Sequence, residues 1–80
     1  MRYKLVRKNS SVVNYGDKAL WINKDSAQTI PDVGCSLLLD TIGDTHFYLS
    51  SPAIEIIENT DGYVKFKTKE SEYKLIINNV

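Results

Sequence analysis

The sequence predicts an all-β chain: a small, strongly bent antiparallel barrel, SH3-like or similar, ending in a three-strand meander. Three observations lead there. Short segments alternate apolar and polar residues with a period of two, the signature of half-buried strands. Turn-forming residues interrupt them every roughly eight to twelve positions, as in small sandwiches and barrels. And 80 residues suffice for one domain, 1–80, whose single core must serve the whole length. A chain this short buries only about 60% of the surface it exposes when unfolded.

Residues 2–7 alternate, with Tyr3 and Leu5 on one face and Arg2 and Lys4 on the other. Asn9-Ser10-Ser11 breaks the pattern, residues 12–15 make a second strand, and Gly16-Asp17 closes it. In a third strand, 19–23, Leu20 and Ile22 share one face and Trp21 takes the other. Residues 24–34 are rich in the turn formers Asp25, Ser26, Pro31, Asp32 and Gly34. They read as an irregular loop in which 26–29 has the composition of one helical turn, capped by Asp25 or Ser26. Residues 35–41 form a buried strand around Leu37-Leu38-Leu39, and Gly43-Asp44 turns the chain into 45–49.

The C-terminal part alternates most cleanly. Ser51-Pro52 resembles a helix start, but Ile54, Ile56 and Ile57 are β-branched and the segment is short, so 53–59 reads as a strand. Asp61-Gly62 is a turn signal of the kind that closes two-residue hairpins. In 63–69, Val64, Phe66 and Thr68 face one way and Tyr63, Lys65, Lys67 and Lys69 the other; Glu70-Ser71 turns the chain, and 72–77 alternates again.

Composition narrows the functions. A hydrophobic fraction of 42% with 25% charged residues fits a folded domain, and a net charge of zero supplies no global field toward nucleic acid or membrane. An electrostatic partner must therefore read a local patch. One cysteine, Cys35, allows no internal disulfide and no Cys-rich zinc site. Neither a signal peptide nor a membrane-length apolar run is visible, so a cytoplasmic, soluble protein is expected.

Catalytic patterns fail one by one, and no enzyme, metal or cofactor is expected. Cys35 and His46 are the single members of their kinds, and their simplest roles are core packing and a strand edge. The four glycines stand alone, so no phosphate loop exists. Glu55 and Glu58 are an odd number apart, which on a regular strand points them to opposite faces. Two binding candidates remain. One is Trp21 with Asn23, Lys24 and Asp25 at the start of the irregular loop, since an exposed indole beside a long loop suits a partner; the simpler alternative is an indole packed inside. The other is a basic stripe, Tyr63, Lys65, Lys67 and Lys69, joined by Arg2, Lys4 and Lys74 if the first strand pairs near the C-terminal hairpin. Such a stripe could track a phosphate backbone with Tyr63 stacking on a base, or it could be neutralised by Glu55, Glu58, Glu70 and Glu72 across strands.

The string from Phe47 through Ser51-Pro52 to Ile56, followed by Phe66-x-Thr68-x-x-Ser71-x-Tyr73-x-Leu75, resembles small uncharacterised proteins of phages and mobile elements. The match covers roughly residues 47–77 and departs at Ser50, where those proteins carry Thr. The resemblance implies an accessory protein of a phage or mobile element, acting in the host cytoplasm. Three readings follow. The first is a non-enzymatic binding module for a protein partner or for self-association. The second is nucleic-acid binding through the lysine stripe. The third, implied by the resemblance alone, is a counter-defence protein that sequesters a host factor or a small nucleotide signal.

Overall fold

The computed structural model describes residues 2–9, 12–40 and 47–78. They form β1 Arg2–Arg7, β2 Val12–Gly16, β3 Lys18–Ile22, β4 Ala27–Gln28, β5 Ser36–Asp40, β6 Phe47–Leu49, β7 Ala53–Asn59, β8 Tyr63–Thr68 and β9 Glu72–Asn78, with no helix among the described residues. The strands make two antiparallel sheets, one of order β2-β1-β9-β8-β7 and one of order β4-β3-β5-β6. The all-β class and the β7-β8-β9 meander follow the expectation. The expected Gly43-Asp44 turn, Thr41 and His46 lie outside the described residues.

The core lies between the sheets because each presents one apolar row inward. Leu5, Val64, Phe66, Tyr73 and Leu75 come from the five-stranded sheet, and Trp21, Leu37 and Leu39 from the four-stranded one. Trp21 meets Phe66 edge to face, with centroids 5.0 Å apart and planes at 83°. Phe66 in turn stacks on Tyr73 at 5.3 Å. Such aromatic pairs add about 0.5–1.5 kcal/mol beyond the area they bury. A second bridge between the sheets is polar, the Tyr48 hydroxyl donating to the Tyr73 hydroxyl at 3.4 Å.

Backbone bonds join the sheets at both ends of β5. At one end the chain passes from β2 to β3 through Asp17 alone, and Asp17 N–H donates to Asp40 O at 3.1 Å. Gly16 permits this corner, because a Cβ there would collide with Asp40 O and stand 2.8 Å from Leu39 Cγ. At the other end Gly34 N–H donates to Ala53 O, Ala53 N–H to Cys35 O and Ser50 N–H to Leu37 O, all within 2.9 Å. The buried Ser50 hydroxyl accepts from Leu37 N–H and donates to Ser51 O, each at 2.8 Å. No buried side-chain polar atom among the described residues lacks a hydrogen-bond partner.

Three local expectations change. Residues 26–29 make no helical turn; Ala27–Gln28 pairs with Trp21 and Ile22 as β4. The reason is Asn23, whose Oδ1 accepts from the N–H groups of Asp25 and Ser26 at 2.8 and 2.9 Å and folds the chain straight back onto β3. Asp61-Gly62 closes the hairpin without positive φ at Gly62, so the primed turn is absent. Thr60 Oγ1 accepts from Gly62 and Tyr63 N–H instead. Finally, β7 carries register shifts between Ala53 and Glu55 and between Ile56 and Glu58, so Ile54 and Ile57 are extra residues that fall out of the alternation.

Truncating the cross-sheet contact is expected to be severe. Trp21→Ala or Phe66→Ala should cost about 3–5 kcal/mol in urea unfolding, a large share of the roughly 4–12 kcal/mol that stabilises a domain of this length. Gly16→Ala should lower the unfolding free energy by about 1–3 kcal/mol through overpacking. Gly62→Ala meets nothing within 4 Å and lies outside the positive-φ region, so it should leave the unfolding free energy unchanged or raise it by up to about 1 kcal/mol.

Candidate functional site

The structure separates the residues singled out in the sequence. Trp21 is 2% exposed, which overturns the reading of an exposed indole. Its face of β3 points inward because Leu37 and Leu39 of β5 lie beside it in the same row. The indole reaches a cavity of about 130 Å³, below the roughly 300 Å³ at which small-molecule sites begin. Asn23 spends its amide on the β3–β4 turn, Nδ2 lying 3.8 Å from the Sγ of the buried Cys35. Lys24 and Asp25 stand exposed at the tip of that turn.

The basic stripe forms, with altered membership. β1 pairs with β9, and β9 with β8, so Arg2, Lys4, Lys74, Lys65 and Lys67 share the outer face of the five-stranded sheet. β8 ends at Thr68, which leaves Lys69 in the following turn rather than on that face. Glu55 and Glu58 also depart from expectation. The bulge at Ile57 sets them opposite Lys67 and Lys65, and so on the same face despite their odd spacing. Each stands across from a lysine.

Lys65 lies directly across from Lys74, an arrangement that repels. Two contacts relieve it. Lys65 Nζ pairs with Glu58 Oε1 at 3.6 Å, and Lys74 Nζ sits 4.4 Å above the Tyr63 ring. The Tyr63 hydroxyl donates to Glu58 Oε2 at 2.6 Å. That bond holds the Glu58 carboxyl below its ordinary pKa, with nearby Lys65 acting in the same direction. The same bond raises the Tyr63 phenol. Of the two readings of the stripe, a Tyr63 that stacks on a base or lysines neutralised by glutamates across strands, the contacts here are of the second kind: the Tyr63 ring carries Lys74 and its hydroxyl is committed to Glu58.

A face not singled out in the sequence lies on the other sheet. On the outer side of the four-stranded sheet, Leu20 stands opposite Leu38, and Leu38 opposite Leu49. Ile22 extends this row on one flank, and Phe47, opposite Asp40, on the other. Phe47 is 61% exposed and Leu49 50%. The signal was present: Leu37-Leu38-Leu39 makes β5 apolar on both faces, and Leu20 with Ile22 flank a core tryptophan. Read from sequence, such a run indicates a strand covered on both sides.

No protein-family model, no curated protein and no solved structure matches this chain. Among the described residues no group of three His, Cys, Asp or Glu could hold a metal ion, and no helix is long and apolar enough to cross a membrane.

The Glu58–Tyr63 bond gives a pH prediction with a definite sign. Because the folded Glu58 pKa is depressed, its contribution to stability holds above the unfolded carboxyl value and is lost as pH falls through the folded one. Because the Tyr63 pKa is raised, its contribution holds below the ordinary phenol value and is lost as pH rises through the folded one. Tyr63→Phe should bring the Glu58 carboxyl back up toward 4.5, as read by NMR titration of the carboxyl carbon.

Proposed function

We propose that this chain is a small, non-enzymatic binding module that presents the outer face of its four-stranded sheet to another protein, and that a second copy of itself is the partner. The observation that carries this reading is the row Leu20–Leu38–Leu49, flanked by Ile22 and Phe47, in which Leu49 and Phe47 are exposed and Leu20, Leu38 and Ile22 half-buried. Contiguous apolar surface of this kind marks interaction sites. Lys18 lies opposite Asp40 beside the row, so the face carries one charge of each sign. Under a two-fold axis each copy can offer its lysine to the other's aspartate while the leucines meet. The backbone bonds at both ends of β5 support reading the two sheets as one strongly bent barrel, a rigid base for such a face.

The test is the mass of the native protein in solution. A dimer is expected, with an unfolding temperature that rises with protein concentration. Leu38→Glu and Leu49→Glu should each shift the population to monomer and leave the far-ultraviolet circular dichroism unchanged. A wild-type chain that stays monomeric at its highest soluble concentration would sink the self-association reading.

A further inference from the structure

We infer that the opposite face of the molecule, the outer face of the five-stranded sheet, binds single-stranded nucleic acid. The first argument is charge segregation. The chain is neutral, yet Arg2, Lys4, Arg7, Lys8, Lys65, Lys67 and Lys74, seven of its ten basic residues, lie on this face or line its hollows. Three of its ten acids, Glu55, Glu58 and Glu72, accompany them, which leaves the face four positive charges. Between residues 17 and 40 the balance reverses, with four aspartates against Lys18 and Lys24. A neutral chain thus carries a local field of one sign on one sheet, and a phosphate backbone responds to that local field.

The second argument is which cations are engaged. Glu72 pairs with Lys8 at 3.7 Å and Glu58 with Lys65 at 3.6 Å. Among the described residues no carboxylate lies within 4.0 Å of Arg2, Lys4 or Lys74. These three sit on β1 and β9, the middle of the sheet, while two of the acids lie on the edge strand β7. The third acid, Glu72, opens β9 and is engaged by Lys8, and Lys74 rests on the Tyr63 ring. Arg2 and Lys4 are therefore the cations of the central strands with neither a carboxylate nor a ring against them among the described residues.

Shape and chemistry supply the third argument. The face holds two hollows along β1 and β9. One, of about 330 Å³, is lined by Val6, Lys8, Lys65 and Lys74 among others. The other, of about 400 Å³, is lined by Arg2, Lys4, Tyr15 and Ile76 among others. Lys4 lies in one and Lys8, just past the end of β1, in the other. Tyr15 stands opposite Lys4 on the edge strand β2 and is 58% exposed, so its ring is open beside the apolar Ile76. An aromatic face next to phosphate-seeking cations is what an unstacked base needs. A duplex offers no free base face, and among the described residues no helix projects from the strands to enter its major groove. An acidic peptide would satisfy the cations but would not use Tyr15.

The experiment is fluorescence anisotropy with labelled oligothymidylate and oligouridylate, against a mixed-sequence duplex and polyglutamate as competitors. Single strands should bind at low salt, with a log–log salt slope of about −2 to −3, as three or four phosphate contacts give. Lys4→Glu and Lys74→Glu should abolish binding, and Lys4→Gln should weaken it. Lys24→Glu, with the same change in net charge as Lys4→Glu but on an exposed turn of the other sheet, should leave it unchanged. Tyr15→Ala should weaken binding between about fivefold and about a hundredfold, and Tyr15→Phe should restore it. No binding at low salt overturns the inference. So does binding that polyglutamate displaces equally well and Tyr15→Ala leaves intact, which would assign the face to an acidic protein.

Discussion

The contact between Trp21 and Phe66 holds this molecule together. Neither sheet could bury its inner row alone, and the largest ring of one meets the central ring of the other edge to face. Phe66 passes the contact on to Tyr73 by stacking, so one aromatic chain runs from β3 through β8 to β9. Placing Trp21 inward settles which way every neighbouring side chain points. With the indole in the core, period-two alternation sends Leu20 and Ile22 to the outside of the four-stranded sheet. The apolar face proposed as an interface is therefore the geometric complement of the core contact.

That dependence explains what the sequence could and could not disclose. The inner and outer rows of β1, β8 and β9 were readable because lysines alternate with large apolar residues, and only one assignment keeps the charges in water. The same reasoning is silent on β3 and β5, where both faces are apolar and alternation cannot say which is buried. Alternation therefore leaves Trp21 open between an exposed binding residue and the core residue it is, and it gives no sign of the outer leucine row. The odd spacing of Glu55 and Glu58 implies opposite faces, because a bulge leaves no mark in the sequence beyond the run of isoleucines in which it sits. The short strand β4 was hidden for a related reason. Its formation hangs on one side-chain oxygen of Asn23 that captures two backbone N–H groups, and propensity does not register such a bond.

The outer face of the five-stranded sheet shows how a local conflict is absorbed. Lys65 and Lys74 face one another across two strands, yet each has a separate outlet, a carboxylate for one and a π-face for the other. Tyr63 links the two outlets by carrying Lys74 on its ring while its hydroxyl orients Glu58. The tyrosine thereby works as a spacer that keeps two like charges compatible. The aromatic ring left open on this face is Tyr15, at the far end of the same cross-strand row.

The pairing of β1 with β9 has a consequence for how the chain folds. Arg2 lies opposite Asn78 and Arg7 opposite Tyr73, so β1 gains its neighbour on that side only when a strand far along the chain comes back to it. Contacts so distant along the chain fold slowly, since the entropy of closing the loop is lost before the contact is gained. The hairpin β7-β8 has no such wait, its strands joined by one short turn. Until β9 docks, the β1–β2 pair leaves Leu5 uncovered, an apolar strand open to the wrong neighbour during folding.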